Sequence, residues 1–261
     1  LLFADLQNKY VHVSMLVMIW LAGVGIADDW LKLTVSSRNS GDRDGLKKWE
    51  KLLFQFGIGF LAAYYIWGLA GGNEAAHALV LPFQRTYEPH AETLVLENGV
   101  IILGFWAFLV MVAVMIAGTS NAVNITDGMD GLASGTVVIA SLGVMVLACI
   151  AGSAELSQFF LLPWIAGTSE LMVVAAAMAG ACLGFLWFNC APASVFMGDT
   201  GSLALGGLLA TIACCIRQEF LLLLIGGVFY LEMGSVILQT RWFKLTRRFG
   251  RDKEGKRLFL C

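Results

Sequence analysis

Five aspartates lie near the ends of apolar segments, where carboxylates can bind metals or move protons: Asp28, Asp29, Asp127, Asp130 and Asp199. The segment 119–131 holds two of these acids and no base, and the segment 189–200 holds one acid and no base. We therefore expect no local salt bridge to neutralise them. Carboxylates gathered at a low-dielectric boundary raise one another's pKa or recruit a cation, and oxygen ligands favour a hard ion such as Mg²⁺. The competing interpretation is that each aspartate only caps a helix or shapes a turn.

The string NAVNITDGMDG (121–131) carries an amide or a carboxylate at every third residue: Asn121, Asn124, Asp127 and Asp130. On a helical turn this spacing gathers oxygen atoms along one side. The pattern predicts a polar stripe at a membrane surface, and its alternative is an ordinary glycine-rich turn.

The string FMGDTGS (196–202) puts Asp199 between two glycines. We expect a helix to follow directly, and the first N–H groups of a helix are free to bind an anion. Alone, this string is weak evidence of a site.

Asp28 and Asp29 are adjacent. On a helix their side chains would point about 100° apart, so they could not easily chelate one ion together. We expect them to have separate roles.

The elements that position these acids are predicted to be membrane helices. The chain has 261 residues, of which 58% are hydrophobic and 14% are charged, whereas soluble domains carry about 25% charge. A helix of about 20 apolar residues crosses a bilayer core, and seven segments approach that length: 10–27, 52–70, 100–118, 132–151, 170–188, 203–216 and 220–240. The predicted fold class is all-α, a polytopic transmembrane helical bundle of about seven spans.

The basic residues are divided unequally between the two sides of this bundle. Of the 17 Lys and Arg residues, all but Lys9, Arg85 and Arg217 lie in 32–51 and 241–257, which are on one side. The positive-inside rule makes that side cytoplasmic, and the five aspartates lie there too. The net charge of −2 creates no field that would attract nucleic acid.

The three histidines cannot join the acids. His12 falls in the outer half of a span, and His77 and His90 fall in an outer loop. Because Zn²⁺ sites are built mainly from His and Cys ligands, we do not expect one here.

Four strings together resemble the polyprenyl-phosphate N-acetylhexosamine-1-phosphate transferases over nearly the whole chain: GIADDWLK (25–32), NAVNITDGMDGLA (121–133), GFLWFNCAPASVFMGDTGSLALGG (184–207) and EMGSVILQ (232–239). The resemblance is strongest to members that transfer phospho-MurNAc-pentapeptide from UDP to undecaprenyl phosphate, giving lipid I and UMP. It implies a Mg²⁺-dependent enzyme of peptidoglycan synthesis. It also implies a place in the bacterial inner membrane, with the active site facing the cytoplasm.

The resemblance also implies roles for individual residues. It makes Asp28, Asp29 and Asp127 the catalytic acids, and Asp199 the Mg²⁺ ligand with Asn124 beside it. It makes seven residues substrate-binding: Asn124, Met129, Asp130, Asn189, Phe196, Lys51 and Gln239. Among these, Met129, Asp130 and Phe196 resemble a uracil pocket. Four lysines are candidates for phosphate contacts, with charge at the membrane surface as the alternative: Lys32, Lys47, Lys48 and Lys51.

Members of that family extend beyond both ends of the match. They carry two helices and a basic, threonine-containing segment before it, and a histidine run and a final helix after it. We therefore interpret residues 1–261 as a single transmembrane transferase domain without its N-terminal helices and C-terminal histidine segment. Activity is expected of the longer protein.

Two other functions stay open. The first is a sister enzyme that transfers GlcNAc-1-phosphate from UDP-GlcNAc to the same lipid. The second is a cation transporter, although transporters place their sites near the membrane midplane and these acids lie at span ends. The expected partners are UDP-MurNAc-pentapeptide, undecaprenyl phosphate and membrane lipid, and a homodimer is compatible with the sequence.

Overall fold

The computed structural model describes residues 4–36, 45–88 and 93–249, and these form a bundle of α-helices. The helices in chain order are α1 (Lys9–Ser36), α2 (Lys48–Ala70), α3 (Phe105–Thr126), α4 (Leu132–Gly152), α5 (Ala154–Phe160), α6 (Glu170–Asn189), α7 (Gly198–Cys215), α8 (Glu219–Ile225) and α9 (Gly227–Phe249). A 3-10 turn, Glu74–His77, precedes two short antiparallel strands, β1 (Ala78–Leu79) and β2 (Ile101–Ile102). The predicted all-α fold class is confirmed.

Six helices in the described part of the chain are long and apolar enough to cross a membrane: α1, α2, α3, α4, α6 and α7. The predicted seventh span, 220–240, is not one straight helix. It divides into α8 and α9, which meet at an angle of 80°. The break falls at Gly226, which is followed by Gly227 at the start of α9. Two consecutive glycines disfavour a continuous helix because glycine loses more backbone conformational freedom on ordering than any other residue.

The polar ends of three helices differ from the predicted spans. The helix α1 continues nine residues past the predicted end at 27, α3 ends at Thr126 instead of 118, and α7 begins at Gly198 instead of 203. Each extension contains polar side chains that bond to other parts of the protein or to their own helix. In α3, for example, Asn121 Nδ2 donates to Ala117 O at 2.8 Å.

The start of α3 also differs, because the predicted span began at 100. Ile101 and Ile102 form β2 and pair with Leu79 and Ala78. Their backbone groups are satisfied by a strand instead of a helix turn, so α3 begins only at Phe105.

Helix α7 lies at the centre of the bundle, packed against α1, α3 and α4. Its backbone contacts that of α1 at Gly25, where a Cβ atom would lie 2.4 Å from both Asp199 O and Thr200 Cα. Only glycine allows the two backbones to approach this far, as at other small-residue contacts between membrane helices. The contact brings the polar end of α1 against the first turn of α7.

Candidate active site

Three carboxylates converge where α1 meets the start of α7. Asp28, Asp29 and Asp199 can each offer one oxygen atom so that the three atoms lie within 4.8 Å of one another. Asp28 is almost fully buried, and the other two side chains are partly buried. The structure thus brings together acids that are about 170 residues apart in the sequence.

The two neighbouring aspartates of α1 have different partners. Asp28 Oδ1 accepts a hydrogen bond from the Leu46 backbone N–H at 2.7 Å. Asp29 Oδ2 accepts from the backbone N–H of Thr200 at 3.1 Å and from its hydroxyl at 2.8 Å. The two side chains thus have different hydrogen-bond partners, since Asp28 joins α1 to the start of α2 and Asp29 joins α1 to α7. The expectation that the two adjacent acids could not easily share one ion is nevertheless contradicted, because each offers an oxygen atom to the same group of three.

Two lysines neutralise part of this acidic charge. Lys51 Nζ lies 2.9 Å from Asp28 Oδ2 and 2.6 Å from Asp199 Oδ2. Lys32 Nζ lies 2.8 Å and 3.0 Å from the same two atoms, and 3.7 Å from Asp29 Oδ1. Both lysines come from outside the segments 119–131 and 189–200, so the absence of a base within those segments does not leave Asp199 without a cationic partner. Extension of α1 places Lys32 one turn after Asp28, and tertiary packing brings Lys51 from α2.

The other two phosphate candidates, Lys47 and Lys48, are exposed at the start of α2. The backbone N–H of Lys47 donates to Glu50 Oε2 at 3.0 Å, which completes the first turn of that helix. Of the four lysines, the structure thus gives Lys32 and Lys51 contacts with the acids.

Asn124 from α3 completes the polar contacts of Asp199. Its Nδ2 donates to Asp199 Oδ1 at 2.7 Å and to Ser202 Oγ at 2.8 Å. The Ser202 hydroxyl in turn donates to Gly198 O at 2.8 Å. The predicted proximity of Asn124 to Asp199 is present, and it holds the end of α3 against the first turn of α7.

Asp127 caps the end of α3 on the same side of the bundle. The Gly198 backbone N–H donates a hydrogen bond to its carboxylate. Burial, followed by the negative charges of Asp199 and Asp29, raises the pKa of Asp127 from its ordinary value of 3.8 to about 6. Asp127 is thus a carboxylate that can take up and release a proton near neutral pH.

The raised pKa predicts how Asp127 affects stability. An acid whose pKa is higher in the folded state costs stability when it is charged, and this cost is complete only above the folded pKa. We therefore expect Asp127→Asn to raise the thermal midpoint at pH 7 without divalent cations, and the gain to shrink as the pH falls from 7 to 4. Thermal unfolding of the native protein and of Asp127→Asn between pH 7 and pH 4 measures this gain. A gain that is constant with pH would contradict the assignment.

The cluster fits a hard divalent cation. Its acids are Asp28, Asp29, Asp127 and Asp199, which carry four negative charges when ionised against the two positive charges of Lys32 and Lys51. The remaining negative charge and the oxygen-only donor set suit Mg²⁺ rather than a metal that prefers sulfur or imidazole. Asp28, Asp29 and Asp199 are the residues that would hold it, with Asn124 alongside.

The residues predicted to form a uracil pocket lie in the neighbouring loops. Met129 and Phe196 are highly exposed. Asp130 Oδ2 accepts from the Ala193 backbone N–H at 3.0 Å, so it ties the loop after α3 to the loop before α7. Their role in nucleotide binding stays a prediction.

Two further predicted substrate-binding residues make other contacts. Asn189 is buried, and its Oδ1 accepts from Gly131 N at 3.1 Å and from Ser134 Oγ at 2.8 Å. Its Nδ2 donates to Val195 O at 3.0 Å. Asn189 thus orders the start of α4, and its role towards substrate stays a prediction.

Gln239 lies on α9, where its Nε2 donates to Ser235 Oγ, one turn earlier, at 3.1 Å. Its role towards substrate likewise stays a prediction.

Sequence reasoning missed three polar residues around the cluster. Thr200 and Ser202 lie in the segment FMGDTGS (196–202) beside Asp199, but no spacing in the sequence marks their hydroxyl groups as part of a site. Gln55 is fully buried in α2. The signal that could have found Gln55 is an amide within an apolar span. A polar group in a membrane helix is costly and usually faces a partner inside the bundle.

The chain is similar in sequence to a known protein family. The sequence model described as glycosyl transferase family 4 matches residues 11–217, which is more than half of the chain. The chain belongs to glycosyl transferase family 4. The match includes all four acids and both lysines of the cluster, and it confirms the resemblance found from the sequence strings.

This family 4 chain is similar to proteins named phospho-N-acetylmuramoyl-pentapeptide-transferase. Those of Neisseria meningitidis serogroup C (strain 053442) and Neisseria gonorrhoeae (strain NCCP11945) are each 39% identical to it over 248 residues. The matched region covers 95% of this chain and 64% of each relative. The chain therefore spans just under two thirds of the length of these relatives.

Proposed function

We propose that this family 4 chain forms the membrane part of a Mg²⁺-dependent phosphoglycosyl transferase. The proposed reaction transfers phospho-MurNAc-pentapeptide from UDP to undecaprenyl phosphate and yields lipid I and UMP. The observation that carries the proposal is the convergence of Asp28, Asp29, Asp127 and Asp199 at the ends of membrane-spanning helices. The names of the relatives support this reaction over others of the family.

The chemistry explains why acids and lysines share this site. Attack of a lipid phosphate on a pyrophosphate brings two anions together, so it requires charge neutralisation and alignment more than a strong base. A bound Mg²⁺ supplies charge neutralisation. The ammonium groups of Lys32 and Lys51 add positive charge beside it, and they can bind phosphate oxygens in place of the carboxylates that they contact here.

Asp127 is suited to take up a proton from the acceptor. A phosphate monoester loses its second proton near pH 6, and the pKa of Asp127 is raised to about 6. We therefore expect Asp127 to accept the proton of the lipid phosphate, which would leave the dianionic phosphate as the nucleophile.

The proposed orientation places the site on the cytoplasmic face of the bacterial inner membrane. The acid cluster lies beside Lys32 and Lys51, which belong to the set of basic residues that the positive-inside rule assigns to the cytoplasmic side. A nucleotide-linked sugar is soluble and is made in the cytoplasm, whereas the lipid acceptor reaches the site within the bilayer. A site at helix ends is open to both.

The test uses purified full-length protein with undecaprenyl phosphate and Mg²⁺. UDP-MurNAc-pentapeptide and UDP-GlcNAc are supplied in separate reactions, and UMP release and the lipid product are measured. We expect turnover with the first donor. Turnover with UDP-GlcNAc alone would establish the sister activity instead. Uptake of divalent cations into proteoliposomes without nucleotide, together with no turnover of either donor, would favour a transporter.

A further inference from the structure

A buried hydrogen-bond network lies directly beneath the acid cluster. Gln55 of α2 is fully buried. Its Oε1 accepts from Asn121 Nδ2 at 2.7 Å, and its Nε2 donates to Ser120 Oγ at 3.4 Å. The Ser120 hydroxyl donates onward to Leu203 O at 3.0 Å. These bonds join α2, α3 and α7 within the apolar interior.

The network repeats the arrangement of the site one helical turn deeper. On α2, Gln55 follows Lys51 by four residues, and on α7, Leu203 follows Asp199 by four residues. On α3, Ser120 precedes Asn124 by four residues. Residues four apart lie on the same face of a helix, one above the other. Each helix therefore contributes to the site and to the network below it, α3 through both Ser120 and Asn121 in the network.

Directional bonds at this depth set the relative register of the three helices. Contacts between apolar side chains allow helices to rotate or slide by small amounts, whereas a hydrogen bond weakens steeply when its geometry is distorted. The low dielectric of the interior strengthens the bonds and makes an unpaired amide costly. The same register decides whether Lys51 Nζ and Asn124 Nδ2 reach opposite oxygens of Asp199 at 2.6 Å and 2.7 Å.

We propose that Gln55 is a positioning residue, which fixes the register of α2 against α3, while the bond from Ser120 to Leu203 O holds α3 against α7, so that Lys51 reaches Asp199. This inference rests on the proposed function. Gln55 is fully buried and bonds to Ser120 and Asn121, so it acts on the site through the side chains one turn above it. Reacting groups that are displaced by about 1 Å can lose up to about 100-fold in rate.

The test compares Gln55→Met with Thr211→Val in the full-length protein. Methionine keeps the length of glutamine and removes both of its hydrogen bonds. Asn121 Nδ2 still donates to Ala117 O, and the Ser120 hydroxyl still donates to Leu203 O, so the variant should fold. Thr211 is the matched control because it is equally buried in α7 and its hydroxyl donates only within its own helix, to Gly207 O at 2.8 Å.

We expect Gln55→Met to lower kcat by about 10- to 100-fold while KM for both substrates changes less than about twofold. Thr211→Val should retain the native kcat even where its thermal midpoint falls. A native kcat in Gln55→Met would overturn the inference. Losses of kcat that follow the loss of thermal midpoint equally in both variants would also overturn it, because Gln55 would then be a structural residue only.

A second measurement separates this inference from the proposed function. Binding of Mn²⁺, used as a paramagnetic substitute for Mg²⁺, is followed without substrates, and we expect it to weaken about tenfold in Gln55→Met but not in Thr211→Val. If the native protein binds Mn²⁺ without transferring a sugar phosphate from either donor, the proposed reaction is wrong, and Mn²⁺ binding by the two variants alone decides the role of Gln55. If it neither binds nor transfers, the proposed function fails and the positioning role fails with it.

Discussion

Asp199→Asn is expected to lower sugar-phosphate transfer by about 1,000-fold or more, since metal-assisted charge neutralisation contributes several kcal/mol to such reactions. The substitution keeps the size of the side chain and an oxygen that can accept from Asn124, which donates to Asp199 at 2.7 Å. It removes the negative charge that the cation would bind. Lys32 and Lys51 retain Asp28 as their partner, so the bundle should still fold.

Transfer rates, membrane insertion and Mn²⁺ binding of the variant test this expectation. Asp5→Asn is the matched control, because it makes the same change at an exposed aspartate before α1, at the other end of that helix. It should keep the native rate. An Asp199→Asn protein that is inserted, folded and fully active would refute the assignment of Asp199 as a metal ligand.

Gly25→Ala is expected to destabilise the protein by about 1–3 kcal/mol, the usual cost of overpacking. The added Cβ would lie 2.4 Å from Asp199 O and Thr200 Cα. Both neighbours are α7 backbone atoms, so neither can rotate away, and the two helices must separate. Separation would lengthen the hydrogen bonds from Thr200 to Asp29, which are 3.1 Å and 2.8 Å in the structure. Activity should fall together with stability.

The control for this change lies two residues earlier in the same helix. Gly23 has nothing within 4 Å of the position of a Cβ atom, so Gly23→Ala should be neutral or stabilising, by up to about 1 kcal/mol from helix propensity. Thermal midpoints of the two variants in the same detergent make the comparison. Equal stability of the two alanine variants would show that α1 and α7 are not in backbone contact at Gly25.

The charges of the site and the positions of its helices depend on each other. Asp28 is buried with its charge paired to two lysines, and removal of one partner from a buried ion pair generally costs more than the pair contributes. The acids therefore hold α1, α2 and α7 together in addition to any part in catalysis. Conservative substitutions with matched controls are needed to separate these two effects.

Much of the fold followed from local properties of the sequence. Membrane-spanning helices satisfy their own backbone hydrogen bonds, so a run of about 20 apolar residues is sufficient to predict one. Six of the seven predicted spans are present as helices. Two segments depart from the prediction, because an apolar run there is compatible with more than one backbone structure. Ile101 and Ile102 pair as a strand, and the apolar segment after Glu219 bends at Gly226.

The sequence by itself determined that a set of aspartates lies at span ends on one side of a bundle, with Lys32 one turn after Asp28, because residue type, apolar length and charge sidedness are local properties of the chain. The tertiary structure alone decided which groups meet them. Lys51 reaches Asp28 and Asp199 from α2, and Gln55 lies beneath them, because the packing of α1 and α3 on α7 sets the rotation and register of each helix. Rotation and register depend on contacts between residues far apart in the chain, and no spacing within one segment encodes them.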